Sequence, residues 1–145
     1  MRRLSPSTQS TLTLLASILV ATGSILPWLR VDPAHEGPVI AIYLAGMDSG
    51  LDLWGLVLVP AVLALGVLHA FDARPISDLT TLLVGCLSVG LVTLYWQSAV
   101  GGYFVPDVGW YVALAGSLLL LTVGVQRVWS HMYYEKSKSE ELRSV

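Results

Sequence analysis

Four apolar stretches, each about as long as a bilayer is thick, constrain this chain of 145 residues more than any other feature. They lie near residues 11–29, 51–71, 79–97 and 108–129. A helix needs about 20 apolar residues to cross the hydrocarbon core. Charged residues make up only 12% of the chain, about half the fraction usual in soluble domains. We therefore predict an all-α integral membrane protein, a single domain built as a four-helix transmembrane bundle, with residues 130–145 as a tail.

The distribution of the basic residues predicts the topology. If the N-terminus is cytoplasmic, the outer side carries one basic residue, Arg30, and all the others lie inside. This bias follows the positive-inside rule, so we expect a multi-pass protein of the cell membrane with both termini cytoplasmic. We expect the first span to stay uncleaved, because Pro27 and Trp28 stand where a small-residue cleavage site would follow. The inner basic residues are Arg2, Arg3, Arg74, Arg127, Lys136, Lys138 and Arg143.

The first outer loop leads into a capping pattern. Its residues 39–44 form an apolar run that favours β structure, which predicts a strand or short hairpin on the membrane surface or, alternatively, a re-entrant or interfacial segment. Ser49 and Asp52 then have the spacing of a capping box before an apolar run. We interpret Asp52 as a helix cap, with ion binding as the alternative. Asp78 and Asp107 stand at the next two predicted helix starts, which favours the same role for them.

Four of the five tryptophans fall at predicted outer helix ends. Aromatic side chains commonly anchor membrane proteins at the headgroup level. The alternative is an aromatic cluster through which the outer loops pack on each other or on a partner. Either interpretation predicts a short extracellular cap, whose candidate residues are Trp28, Tyr43, Asp52, Trp54, Trp96, Tyr103, Phe104 and Trp110.

No pattern in the sequence indicates catalysis or cofactor binding. A nucleophile–base arrangement, a glycine-rich phosphate loop and a zinc helix motif are all missing, and the single cysteine excludes an internal disulfide. Charged residues are absent from the predicted helix centres, where such groups mark transport pathways. His69 and Arg127 lie near inner helix ends, from which they can reach the interface. We therefore predict neither an enzyme nor a proton-coupled transporter, and expect no cofactor, metal or nucleic acid.

Small residues recur four positions apart in every predicted helix. Such faces let helix backbones approach closely, and that packing drives helix association in lipid. All four faces could meet inside one bundle, or one or two could face another subunit. The candidate packing residues are Ser17 and Ala21, Gly66 and Ala70, Cys86 and Gly90, and the triplet Gly109, Ala113 and Ser117.

Three short motifs stand at the outer helix ends: ILPWLRV after the first span, SGLDLWG before the second, and YFVPD leading into VGWYVALAGSLLLLTVG. They resemble the motifs of claudin-like four-span membrane proteins. The resemblance implies adhesion or lateral polymerisation through the outer loops, with Trp28 and Trp54 holding an extracellular layer. The chain departs from the family pattern in three ways: the loop lacks the family's cysteine pair, Asp52 and Leu53 separate Leu51 from Trp54, and the loop is too short for a full sheet. The chain is also similar to small uncharacterised prokaryotic four-span proteins with a Pro-Trp helix exit, which implies no activity.

The lack of buried charge, the small-residue faces and the aromatic loops together favour a non-enzymatic role. We predict a structural, adhesion or self-assembly protein, acting as a scaffold or accessory subunit. Its expected partners are the lipid bilayer and either further copies of itself or another membrane protein. The alternative is a homo-oligomeric ion channel or pore, in which acidic outer loops attract cations to the entrance.

Overall fold

A computed structural model of the protein describes residues 5–34, 50, 54–70, 74–99 and 104–143. Within these residues the chain is mostly helical, as predicted. Three helices are long and apolar enough to cross a membrane, over Ser7–Ile25, Ile76–Gln97 and Val108–Tyr133, which is compatible with a membrane protein. In chain order the elements are α1 (Pro6–Ile25), β1 (Leu29–Val31), α2 (Gly55–Ala70), α3 (Arg74–Ala99), β2 (Phe104–Pro106) and α4 (Val108–Arg143).

Helix α1 begins earlier and ends earlier than the apolar run indicates. Ser5 caps it, because its hydroxyl accepts a hydrogen bond from the Thr8 N–H at 3.2 Å. Pro6 takes the first helical position, where its missing N–H costs no helical bond. The helix ends at Ile25, two residues before Pro27. The polar first turn therefore starts α1 five residues before the predicted span of residues 11–29. Pro27 ends the helix before the predicted span ends.

Helix α2 is shorter than the predicted span of residues 51–71. Its 16 residues rise by about 24 Å at 1.5 Å per residue. The carbonyl of Trp54 accepts hydrogen bonds from the N–H groups of Val57 and Leu58, so the helical ladder begins there. Pro60 lies inside the helix. The predicted cap by Ser49 and Asp52 falls outside the described residues.

The capping prediction is wrong for α3 and correct for α4. Helix α3 begins at Arg74, so Ser77 and Asp78 lie inside it rather than before it. Pro75 at its second position fits the start of a helix, because a first-turn residue needs no helical N–H bond. Asp107 directly precedes α4, and its carboxylate accepts a hydrogen bond from the Val108 N–H at 2.7 Å. Asp78 is therefore available for a different contact.

The four helices pack around one another in chain order. Helix α1 packs against α2 and α4, and α3 packs against the same two helices. Glycines bring α4 close to both neighbours. A Cβ added to Gly116 would lie 2.8 Å from the Leu19 side chain of α1, and one added to Gly85 of α3 would lie 2.7 Å from the Leu121 Cα. The last helix of the chain is thus the most closely packed.

A short antiparallel sheet joins the exit of α1 to the entry of α4. Strands β1 and β2 pair Leu29 with Pro106 and Val31 with Phe104. We call this the strand end of the packed helices, and the opposite end, where Arg127 lies, the arginine end. The strand predicted at residues 39–44 lies outside the described residues, and β1 lies where the sequence predicts the end of a helix and a loop. The β1–β2 pairing is between distant segments, which explains why local patterns missed it.

Buried apolar side chains fill the centre, among them Trp28, Leu58 and Leu120. Large apolar side chains also cover the outside of the helices, for example Leu56 and Ile25, at 69% and 60% exposure. Soluble proteins rarely expose continuous apolar surface. The exterior is therefore compatible with contact to lipid, as the helix lengths are.

Candidate functional site

One arginine links all four helices at the arginine end. Arg127 of α4 is only 7% exposed. One terminal nitrogen, Nη1, lies 3.1 Å from the Asp78 carboxylate of α3 and 2.6 Å from Nε2 of His69 on α2. The other, Nη2, donates to the Ser10 hydroxyl of α1 at 3.3 Å. We call Ser10, His69, Asp78 and Arg127 the arginine junction.

The fold places Arg127 inward because it continues the buried face of α4. Ala113, Leu120 and Val123 are buried on that face, and Arg127 follows Val123 by four residues. Residues four apart lie on the same side of a helix. The prediction that Arg127 reaches out to the interface is therefore wrong. Its spacing from Leu120 and Val123 was the signal that could have predicted the inward position.

The contacts define the charge of each member of the junction. A guanidinium is a donor only, so Nε2 of His69 must accept from Arg127. The other ring nitrogen, Nδ1, lies 3.2 Å from the Leu65 carbonyl, which can only accept. His69 is therefore neutral, with its proton on Nδ1. Asp78 supplies the negative charge that balances Arg127.

Buried charge is thus present, and the prediction that it is lacking is wrong for Arg127. Both partners of the ion pair lie near the ends of apolar windows, Asp78 within Ile76–Gln97 and Arg127 within Val108–Tyr133. Part of the guanidinium has no partner, because Nε of Arg127 is buried without a hydrogen bond among the described residues. The junction is electrically balanced, but Arg127 has spare donor capacity.

At the strand end, Trp28 completes the end of α1. The fourth residue after Gly23 is Pro27, which has no N–H to give to the Gly23 carbonyl. The indole N–H of Trp28 donates to that carbonyl instead, at 2.7 Å. Its ring is fully buried and meets Tyr95 of α3 edge to face, with ring centroids 5.0 Å apart. The Pro-Trp pair at the helix exit therefore has a structural explanation.

Several other predicted cap residues also lie at the strand end. Trp110 is buried, and its indole N–H donates to the Val92 carbonyl at 3.1 Å. Its ring lies 4.9 Å from that of Trp96, which is 41% exposed. Trp54 and Phe104 are partly buried against the core. The remaining three candidates, Tyr43, Asp52 and Tyr103, lie outside the described residues.

The small residues of α1 and α4 lie inside the packed helices. Ala113 is the nearest neighbour of a Cβ added to Gly23, and a Cβ on Gly109 would lie 2.5 Å from the Pro27 carbonyl oxygen. Ser17 and Ser117 are buried, and the half-buried Ala21 packs against the core.

The small residues of α2 and α3 are placed differently. Cβ atoms added to Gly66 and Gly90 would have no neighbour within 4 Å in the part of the chain that the structure describes. Cys86 is exposed. The side chain of Ala70 lies outside the description. The candidate residues of α1 and α4 therefore pack within the chain, whereas Gly66, Cys86 and Gly90 have open space beside them in the described part of the chain.

Interior hydroxyl groups bond to their own helices. Thr13, Ser24, Thr81 and Ser117 each donate to the carbonyl four residues earlier, at 2.6 to 2.9 Å. The Ser88 hydroxyl is buried with no hydrogen bond among the described residues. These hydroxyls therefore add little to contacts between helices.

Metal binding finds no support in the described ranges, where no group of three or more His, Cys, Asp or Glu residues could hold an ion. No family model, curated protein or solved structure matches the chain. The resemblance to claudin-like proteins stays a prediction.

Proposed function

We propose that the protein is a non-enzymatic, four-span membrane protein that assembles laterally with further copies of itself through α2 and α3. The arginine end faces the cytoplasm of the cell membrane in this proposal, and the strand end forms a small extracellular cap. The observation that carries the proposal is the open space beside Gly66 and Gly90, in contrast to the filled space beside Gly23 and Gly116.

An open glycine in a helix needs an explanation, because glycine is about 1 kcal/mol less favourable there than alanine. In α1, α3 and α4 the close approach of another helix explains the presence of glycine, as at Gly85 and Gly116. Gly66 and Gly90 have no such neighbour among the described residues. Close packing at small residues drives the association of helices in lipid, so a second copy would supply the contact that these glycines lack.

The short length of α2 also favours self-association through this helix. At about 24 Å, its described part is shorter than the roughly 30 Å hydrocarbon core. One way for a short apolar helix to relieve this mismatch is to oligomerise. Exposed apolar side chains flank Gly66, with Leu63 at 62% and Val67 at 56% exposure. They would surround a close contact between glycine backbones.

The polar interior supports a structural role over transport. Four interior hydroxyls are satisfied by their own helices, and the buried charge is balanced at one end. A transport pathway needs polar groups along its length. Because the hydroxyls named here are already used within their own helices, the described interior favours a scaffold that self-assembles.

Subunit counting in liposomes tests the proposal. The fraction of dimers is measured by single-molecule photobleaching as the density of protein in the membrane is raised. We expect Gly66→Leu and Gly90→Leu to weaken association by roughly tenfold, about 1.4 kcal/mol. Both variants should stay folded, because their side chains enter open space. The matched control is Ala115→Leu, at an exposed small residue of α4, which should associate like the native protein.

Two results would contradict self-assembly. One is a protein that stays monomeric at all densities, and the other is association that neither glycine variant weakens. A monomer that co-purifies with a different membrane protein would favour an accessory subunit. Ion flux through liposomes tests the channel alternative. Asp48 and Asp52 are acidic residues of the predicted first outer loop. Selective ion permeability that depends on either of them would favour a pore over the structural role.

A further inference from the structure

The geometry points to a pH-sensitive switch at the arginine junction, in which protonation of His69 separates α2 from Arg127. The inference concerns a conformational change within one chain, so it goes beyond the proposed lateral assembly and does not depend on it. It starts from the hydrogen bond between Nη1 of Arg127 and Nε2 of His69, which measures 2.6 Å.

This contact requires a lone pair on Nε2. Arginine stays protonated at every pH at which the protein is folded, so it can only donate. If Nε2 gained a proton, two N–H groups would face each other and two positive charges would lie side by side. The other nitrogen, Nδ1, already uses its proton toward the Leu65 carbonyl. His69 therefore cannot take up a second proton while this contact is kept.

The surroundings do not compensate for a positive charge on His69. Among the described side chains, the charged groups that face it are Arg127 of α4 and Asp78 of α3. Asp78 is already paired with Arg127 at 3.1 Å. Helix α1 contributes the hydroxyl of Ser10 to the junction, and α2 has no other ionisable side chain within Gly55–Ala70. A protonated His69 would therefore give the junction a net positive charge.

Helix α2 is the element able to respond. It packs against α1 and α3, so the His69–Arg127 contact links it to α4, which lies diagonally opposite. Pro60 has no N–H for the Leu56 carbonyl, which gives α2 a point where it can bend. The segment from Pro60 to His69 also contains the open Gly66. The other three helices are held by close glycine contacts, so movement is confined to this end of α2.

Acid favours the separated form. A histidine in contact with water takes up a proton near about pH 6.5. Since the closed junction excludes that proton, lowering the pH shifts the population toward the form in which α2 has moved away from Arg127. One linked proton changes the ratio of open to closed forms by at most about tenfold per pH unit. Above neutral pH the junction stays closed.

Distances between spin labels test the switch. Labels at Val67→Cys on α2 and Met132→Cys on α4, in a Cys86→Ser background, report on the arginine end from two exposed positions. In lipid nanodiscs we expect one distance at pH 8 and a second, longer distance at pH 5 that disappears when the pH is restored. A reference pair at the strand end, Leu56→Cys and Tyr111→Cys, should report the same distance at both pH values.

Two histidine variants identify the group that titrates. In His69→Gln the side-chain carbonyl can accept from Arg127 but cannot be protonated in this range, so the longer distance should not appear at pH 5. The control His131→Gln removes an exposed histidine of α4, and it should behave like the native chain. Nitrogen-15 spectra of the imidazole rings give a second readout. His69 should change from the Nδ1–H tautomer to the doubly protonated ring over the same pH range as the distance.

Several outcomes would overturn the inference. They are an unchanged distance at the arginine end between pH 8 and pH 5, a longer distance that persists in His69→Gln, or an equal change at the strand end. If His69→Gln does not fold, the imidazole spectra of the native chain decide. Protonation of His69 over a pH range different from that of the distance change would refute the switch.

Discussion

Replacing Asp78 with asparagine tests whether the buried ion pair stabilises the fold. Asp78→Asn keeps a side-chain oxygen that can accept from Arg127 at 3.1 Å, but it removes the negative charge. Arg127, at 7% exposure, would then hold an unbalanced charge. Breaking a buried pair by removing one partner costs about 3–5 kcal/mol. Asp78 is itself 21% exposed, and the hydrogen bond can be kept, so we expect a loss of about 3 kcal/mol.

The assay is reversible unfolding in mixed micelles, with the free energy of unfolding compared between variants. Asp107→Asn is the matched control, because it makes the same change of charge at a helix cap. Aspartate and asparagine are nearly equal as caps, so we expect a change within about 0.5 kcal/mol there.

A double variant sharpens the test. Asp78→Asn combined with Arg127→Met removes both charges, and replacing a buried pair by apolar groups is often close to neutral. We therefore expect the double variant to be more stable than Asp78→Asn alone. A loss under about 1 kcal/mol for Asp78→Asn, or a double variant less stable than it, would refute the reasoning that Arg127 depends on Asp78 for its charge balance.

Two further predictions concern helix packing and the α1 exit, and both are measured as free energies of unfolding. Gly85→Ala should destabilise the protein by about 1–3 kcal/mol, because its Cβ would lie 2.7 Å from the Leu121 backbone. Gly66→Ala should stabilise it by about 0.5–1 kcal/mol, because its Cβ enters open space in a helix; equal effects at the two glycines would contradict the packing described for them. Trp28→Phe should cost about 2 kcal/mol, because it leaves the Gly23 carbonyl without a donor. Trp96→Phe, at a 41% exposed ring, is the control and should cost under about 1 kcal/mol.

The helices could be predicted because their signals are local. Apolar runs predict α1, α3 and α4, and Asp107 indicates the start of α4. The end of α1 depends on Pro27, yet the apolar run continues to Leu29, so hydropathy alone extends the helix too far. Strand β1 could not be predicted in this way, because its partner lies beyond residues 32–103 and the pairing is formed only by the tertiary fold.

The arginine junction shows the same limit for side chains. The polarity of Arg127 predicts a position at the interface, while its spacing from Leu120 and Val123 indicates the buried face. The second signal was present in the sequence and was correct. The sequence does not indicate which residues Arg127 contacts. His69 and Asp78 belong to different helices, and the positions of these helices relative to α4 depend on packing. Only the structure brings these residues within hydrogen-bonding distance.

The link between the α1 exit and the α4 entry has a consequence for biosynthesis. The carbonyls of Pro27 and Trp28 receive their hydrogen bonds from the N–H groups of Gly109 and Asp107, both at 2.9 Å. While the ribosome is still making the middle of the chain, those carbonyls lack these donors, and unpaired backbone groups are costly wherever water does not reach them. We expect the first helix to keep contact with the insertion machinery until the last one emerges. A nascent chain that stops before residue 107 should then be a better target for membrane quality control than one that stops after α4 has formed.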